Sequence, residues 1–225
     1  MNKICVYSCI TNEYELRLNE QNFENADFYF FTDKEATATK PWREKKAVNL
    51  FTDPRRNARY HKLLSHEMFP EYDYSIWIDG SVVLKINPQD LVKEMGNADI
   101  LTSYHPLRTK VVDEAEECKR LFLDIPSVID THVQKMFADG FKDNAGLAET
   151  KVVVRKNTPL VNEFNMIWFY TLVTGSLRDQ LTFPYAVWTT GVKVKYMAPI
   201  TLQPDKFSYI KAISHLTRNT YEAIS

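Results

Sequence analysis

Short, nearly continuous apolar runs alternate along this chain with stretches whose apolar residues recur at helical spacing. The runs that read as strands are Lys3–Cys9, Asp27–Thr32, Lys46–Leu50, Tyr74–Ile78, Asp99–Tyr104, Lys151–Arg155 and Lys193–Met197. Near-continuous apolar strands separated by helical patterns predict a mostly parallel sheet covered on both faces. Pro54 suits the first turn of a helix that carries Leu63, Leu64 and Met68 and stops before Pro70. Asn87-Pro88 opens a second through Met95. A third, Val112–Leu123, is acidic in its first half and basic near Lys119 and Arg120, the order a helix dipole favours. Thr158-Pro159 starts a long helix through Leu172, and Ser176 is placed to cap a last one from Leu177.

Composition narrows this picture without redirecting it. With 225 residues, 44% of them hydrophobic, the chain can bury one sizeable core, and a single domain over residues 1–225 is expected. The 28 Lys and Arg balance 29 Asp and Glu, so no global field draws the chain to nucleic acid or to an anionic membrane. Cys5 and Cys9 would share one face of the first strand. With Cys118 they read as buried thiols of a reducing compartment, since no ligand spacing suggests zinc. No signal-like or spanning segment is evident, so a cytoplasmic location is the default; excision from a longer polypeptide stays open.

Chemistry enters at Tyr74-Ser75-Ile76-Trp77-Ile78-Asp79-Gly80-Ser81, where a strand-like run stops on a carboxylate, a glycine and a hydroxyl. The carboxyl end of a central strand is where open α/β sheets bind ligands. Asp79 and Ser81 offer oxygens to a hard cation such as Mg²⁺ or Mn²⁺, usually in the company of a diphosphate. The same residues also suit an ordinary strand-ending turn. Upstream, Arg55, Arg59 and Lys62 share one helical face, continued by His66, and three cations there suit a diphosphate or a solvated basic surface. Asp179 and Gln180 fall in the first turn of the last helix, where exposed polar side chains could meet sugar hydroxyls or complement the helix dipole. The polar turn Asp143–Glu149 could present backbone groups to a hydroxylated ligand or be a plain loop. His105 and His132 read as packing residues, and His215 as a weak third metal ligand. Neither G-x-G-x-x-G nor G-x-x-x-x-G-K-[ST] occurs, which disfavours a Rossmann dinucleotide site and a P-loop.

Together these blocks resemble a glycosyltransferase-like family once classed only as a domain of unknown function, with plant cell-wall and bacterial polysaccharide members. The resemblance rests on Arg59-x-x-Lys62-x-x-x-His66, on Phe69-Pro70-Glu71-Tyr72-Asp73 leading into the Asp79-Gly80-Ser81 block, and on Ser176-x-Arg178-Asp179-Gln180-Leu181. His105-Pro106-Leu107-Arg108, Glu114-Ala115 with Cys118, Gly146-Leu147 and Val153-Val154-Arg155 also match, so that it covers about residues 3 to 190. In size and order the chain is similar to the small glycosyltransferase domain of large chlorella-virus proteins.

The resemblance implies an α/β GT-A (nucleotide-diphospho-sugar transferase) fold. It further implies a UDP-linked or similar nucleotide-sugar donor, a glycan acceptor and a divalent cation, Mn²⁺ or Mg²⁺. Asp79 and Ser81 then occupy the place of the family's Asp-x-Asp motif, with Ser81 replacing the second carboxylate. Asp179-Gln180 is similar to the Asp-Gln pair of retaining enzymes of that fold. On this reading Thr11, Asn12 and Tyr14 cradle the nucleoside, Arg59, Lys62 and Arg178 meet the donor, and Gly80 lets the backbone approach it. Phe31-Thr32-Asp33 would shape the site. A non-catalytic nucleotide-sugar-binding domain and a metal-dependent phosphoester hydrolase are the other classes these residues admit.

Overall fold

The computed structural model describes residues 2–12, 18–34 and 40–209. A seven-stranded sheet runs through them in the order β3-β2-β1-β4-β7-β6-β8. Its strands are β1 (Ile4–Ile10), β2 (Asp27–Thr32), β3 (Trp42–Lys46), β4 (Tyr74–Ile78), β6 (Ile100–Tyr104), β7 (Ala148–Lys156) and β8 (Val194–Met197). All neighbours pair in parallel except β7, which runs antiparallel to both β4 and β6. A separate two-stranded ribbon joins β5 (Val82–Leu84) to β9 (Phe207–Tyr209). The α/β class with a mostly parallel sheet is therefore as expected, and the reversed β7 has a consequence for the site.

Helices cover both faces, which is why the strands read as unbroken apolar runs. Every residue of β1 is buried. Ile4, Val6 and Ile10 pack with α3 (Pro88–Met95) through Leu91, Val92 and Met95. Cys5, Tyr7 and Cys9 face the opposite core, shared with α1 (Pro54–Leu63), α6 (Pro159–Val173) and α7 (Asp179–Thr190). Cys5 and Cys9 thus do lie on one face, as free buried thiols whose pKa burial raises. A third cluster joins α4 (Val111–Arg120) to α5 (Pro126–Ala138) around Cys118, Ile129 and Met136. Among the described residues no helix is long and apolar enough to cross a membrane.

Three local expectations change. The strand read at Lys46–Leu50 lies instead at Trp42–Lys46, an edge strand whose last four residues are exposed. The backbone amides of Val48, Leu50 and Phe51 are taken by His61 and Asn57 of α1 rather than by the sheet. The first helix breaks at Leu64, with a short α2 (Ser65–Met68) following. Ser176 does not cap α7. Its hydroxyl donates to Asp124 at 2.8 Å, the Leu177 amide donates to the same oxygen at 2.8 Å, and α7 begins at Asp179.

Candidate active site

Asp79 lies just past the carboxyl end of β4, and β7 starts beside it because it runs the other way. The Asp79 amide donates to the Lys151 carbonyl at 2.9 Å, and the Val82 amide closes a turn back onto the Asp79 carbonyl at 2.9 Å. The carboxylate is oriented from behind: the Trp77 indole donates to Oδ1 at 2.7 Å, and the Lys62 ammonium stands 3.4 Å from the same oxygen. Oδ2 receives no hydrogen bond from the described residues, and the side chain is about one-third exposed.

Lys62 joins this carboxylate to a second one. Its ammonium lies 2.6 Å from Asp179 Oδ2, 3.4 Å from Thr150 Oγ1 and 5.4 Å from the centre of the Trp77 ring. Lys62 is 2% exposed, so of the two readings of its helical face, diphosphate contact or solvated basic surface, the solvated one does not hold for it. Asp179 is buried too. Arg59 approaches Oδ1 at 3.4 Å, and Thr150 donates to Oδ2 at 3.1 Å. Burial alone would raise the Asp179 pKa, but Arg59, Lys62 and Arg178 outweigh it and hold the carboxyl well below its usual range. The exposed polar pair expected at the start of α7 is thus one buried aspartate and one half-buried glutamine. Gln180 donates to the Glu149 carbonyl at 3.1 Å and accepts from Arg178 at 2.9 Å.

Thr150 occupies left-handed backbone, with φ of 57°. That is a costly conformation for a β-branched residue. It sits where the β6–β7 register slips between Thr102 and Tyr104, and such bulges aim side chains beside functional sites. Here the irregularity turns the Thr150 hydroxyl into the Lys62–Asp179 pair.

The ends of β1 and β2 form the neighbouring wall. Thr11 donates to the Pro54 carbonyl at 2.7 Å, and the Asn12 amide donates to Asp33 at 2.9 Å. Tyr14 and His215 lie outside the described residues. Of the basic stripe, Arg55 pairs with Asp53 at 3.0 Å, and His66 faces Asn165 and Glu67. Oxygen donors for a cation exist at Asp79 and Ser81. Among the described residues no group of three or more His, Cys, Asp or Glu is placed to hold a metal. Two such donors would leave most of a hard cation's shell to ligand oxygens and water.

The family model of the TOD1/MUCI70 glycosyltransferase-like domain matches residues 2–213. The chain belongs to that family. It is 27% identical over 212 residues to "Probable hexosyltransferase MUCI70" of Arabidopsis thaliana, covering 83% of this chain and 36% of that protein. It is also 25% identical over 162 residues to "Alkaline ceramidase TOD1" of the same plant, covering 67% and 35%. The chain therefore spans about a third of the length of these curated relatives. Among solved structures it is similar to the WbbM bifunctional glycosyltransferase in its apo state. That match has a TM-score of 0.49 and 12% identity, covering 87% of this chain and 39% of that one.

Three of the blocks through which the sequence resembles the TOD1/MUCI70 family meet at one buried carboxylate, Glu114. Arg108 donates to its Oε2 at 2.5 Å, His105 stands 3.5 Å from the same oxygen, and Arg178 is 3.9 Å from Oε1. Cys118 completes the group with its thiol 3.5 Å from Oε1. Glu114 thus backs Arg178, which holds Gln180. In the Asp143 turn the Asp143 carboxylate accepts from the Val111 and Val112 amides of α4 at 2.9 and 3.1 Å, while Asn144 and Ala145 are exposed.

Sequence reasoning had no signal for Thr150, and it reached Glu149 only as the end of the polar Asp143–Glu149 turn, not as the acceptor that holds Gln180. Arg155 had a signal: a charge ending an apolar run. Its buried guanidinium donates to the Lys62 and Leu63 carbonyls at 2.7 and 3.0 Å, where the C-terminus of α1 concentrates negative potential, and to the Tyr7 hydroxyl. Arg155 therefore fixes the backbone from which Lys62 projects.

Proposed function

We propose that this chain is a glycosyltransferase domain that moves a hexosyl group from a nucleotide-diphosphate sugar, most simply UDP-linked, to a glycan or glycoconjugate hydroxyl. The observation that carries the reading is the Lys62 ammonium between Asp79 and Asp179. It joins an oxygen site suited to a cation and diphosphate with the Asp179-Gln180 turn, suited to the donor sugar. Family membership supports the same chemistry.

In this reading the bond between the anomeric carbon and the diphosphate oxygen breaks, leaving its electron pair on the diphosphate. The acceptor oxygen bonds to that carbon, and its proton passes to the departing diphosphate. A divalent cation, Mn²⁺ or Mg²⁺, supplies positive charge against the leaving group when bound. Asp79 and Ser81 would hold it. Arg59, about one-quarter exposed, is the cation available to the diphosphate, whereas Lys62 is a positioning residue. Gln180, with Asp179 behind it, supports the sugar in its oxocarbenium-like state, as in a retaining transfer. Thr11 and Asn12 line the nucleoside end.

The test is calorimetric titration of a nucleotide-sugar panel with Mn²⁺ and then with EDTA. Metal-dependent binding of one donor, lost in a folded Asp79→Ala variant, is expected. Silence across the panel from folded protein would overturn the reading. Donor binding without transfer or hydrolysis would make the chain a nucleotide-sugar-binding domain.

A further inference from the structure

A groove of about 430 Å³ opens between α5, α6 and α7, beside the turn that leads from Gly175 to Asp179. That volume is within the range of small-molecule sites. Buried His132 and Met136 and half-buried Ile167 lie along its base, while Tyr170, 63% exposed, and Tyr185 supply aromatic rings. Lys135 and Asp139 stand at the rim, and Tyr185 donates to Asp139 at 2.8 Å.

This lining selects among ligand classes. One cation and one carboxylate at the rim give no net charge to hold an ion. A wholly apolar occupant would strip water from both without replacing its hydrogen bonds. A neutral polyol with apolar C–H faces satisfies the two demands together, faces on the tyrosine rings and hydroxyls at the rim.

The base also holds a buried, neutral imidazole. His132 accepts the Ser176 amide at Nδ1, 3.3 Å away, so the neutral ring carries its proton on Nε2. Burial, with Lys135 nearby, keeps the ring neutral by pushing its pKa down to about 4. Nε2 has no hydrogen-bond partner among the described residues, a costly state for a buried polar group. The ring is also fixed in place: a Cβ at Gly175 would lie 1.6 Å from Nδ1, so His132 packs directly on that backbone.

We infer that this groove is a saccharide-binding site, separate from the Asp79–Asp179 cleft, holding a neutral glycan between Tyr170, Tyr185 and the His132 base. Its use for the acceptor rests on the transferase reading above; saccharide binding itself does not.

Saturation-transfer NMR on the whole chain without nucleotide, using cellobiose, xylobiose and lactose as probes, tests it. At least one disaccharide should bind saturably. Tyr170→Ala, at an exposed position, should weaken it about tenfold, as loss of a central aromatic contact does. Thr131→Trp, which fills the mouth of the groove, should abolish it, while Asp79→Ala leaves it unchanged. No binding of any probe to folded protein, or binding that survives both groove variants, would overturn the site. Disaccharide binding with a silent nucleotide-sugar panel would sink the transferase reading alone.

Discussion

Lys62 and Asp179 meet at 2.6 Å with both side chains almost wholly out of solvent. Two buried charges so close stabilise the fold only as a pair, since removing one partner strands the other. Lys62→Met should therefore cost about 3–5 kcal/mol in urea unfolding. Adding Asp179→Leu to it should recover part of that loss. Strict additivity of the two substitutions would show that the charges do not interact.

Asp179 also sets an acid limb. Its folded pKa is depressed, so its contribution is present above the unfolded value of about 4 and drains away as pH falls from there toward the folded value. Stability measured between pH 5 and pH 2 (roughly the span that brackets an unfolded carboxyl) should fall more steeply in the parent than in Asp179→Asn. Parallel curves would contradict the pairing.

His132 acts at higher pH. The unfolded ring takes a proton below about 6.5, whereas the folded ring resists it down to about 4. Stability should thus fall as pH drops through that window, by up to about 3 kcal/mol from this ring. Burial pushes His61, His66 and His105 the same way, so His132→Gln should remove only part of the slope. An unchanged slope in that variant would count against a buried neutral ring.

Thr150 separates backbone strain from hydrogen bonding. Thr150→Ala keeps the left-handed backbone and loses the hydroxyl, so it should cost about 1–2 kcal/mol. Thr150→Gly loses the same hydroxyl but relieves the strain, so it should be the more stable of the two. Thermal melts rank them. Both should lower transfer, because both leave Asp179 without its hydroxyl partner.

Glu114 is predicted to act through Arg178. Glu114→Gln should lower kcat for sugar transfer while leaving the donor Kd within about threefold, because only the Gln180 end is disturbed. Matching losses in kcat and donor affinity would point to a general collapse of the site.

Much of the frame was legible because its signals are local. Asn87-Pro88 opens α3 as expected, and the Asn87 side chain caps it by accepting the Gln89 amide at 2.8 Å. Strand β4 runs over the residues expected, since five apolar or small residues end on a carboxylate. The failures have non-local causes. Helix α5 was hidden because its apolar residues are divided between the core (Ile129, Met136) and solvent (Phe137). Ribbon strands three residues long carry no period at all. Ser176 looked like a cap, but Asp124, 52 positions away, claimed its hydroxyl. The site was legible as residue types and not as roles: Lys62 has the spacing of a surface cation, and only the packing of β7 and α7 over it shows that it is buried.

The reversal of β7 also bears on how the chain folds. Lys62 meets Asp79, Thr150 and Asp179, partners 17, 88 and 117 positions along the chain. Contacts of such span form late and slowly, after the long loops between them have closed. No fragment ending before α7 can contain the cluster. Donor affinity should thus appear in refolding only with the last kinetic phase, so that ligand binding doubles as a clock for the completed sheet.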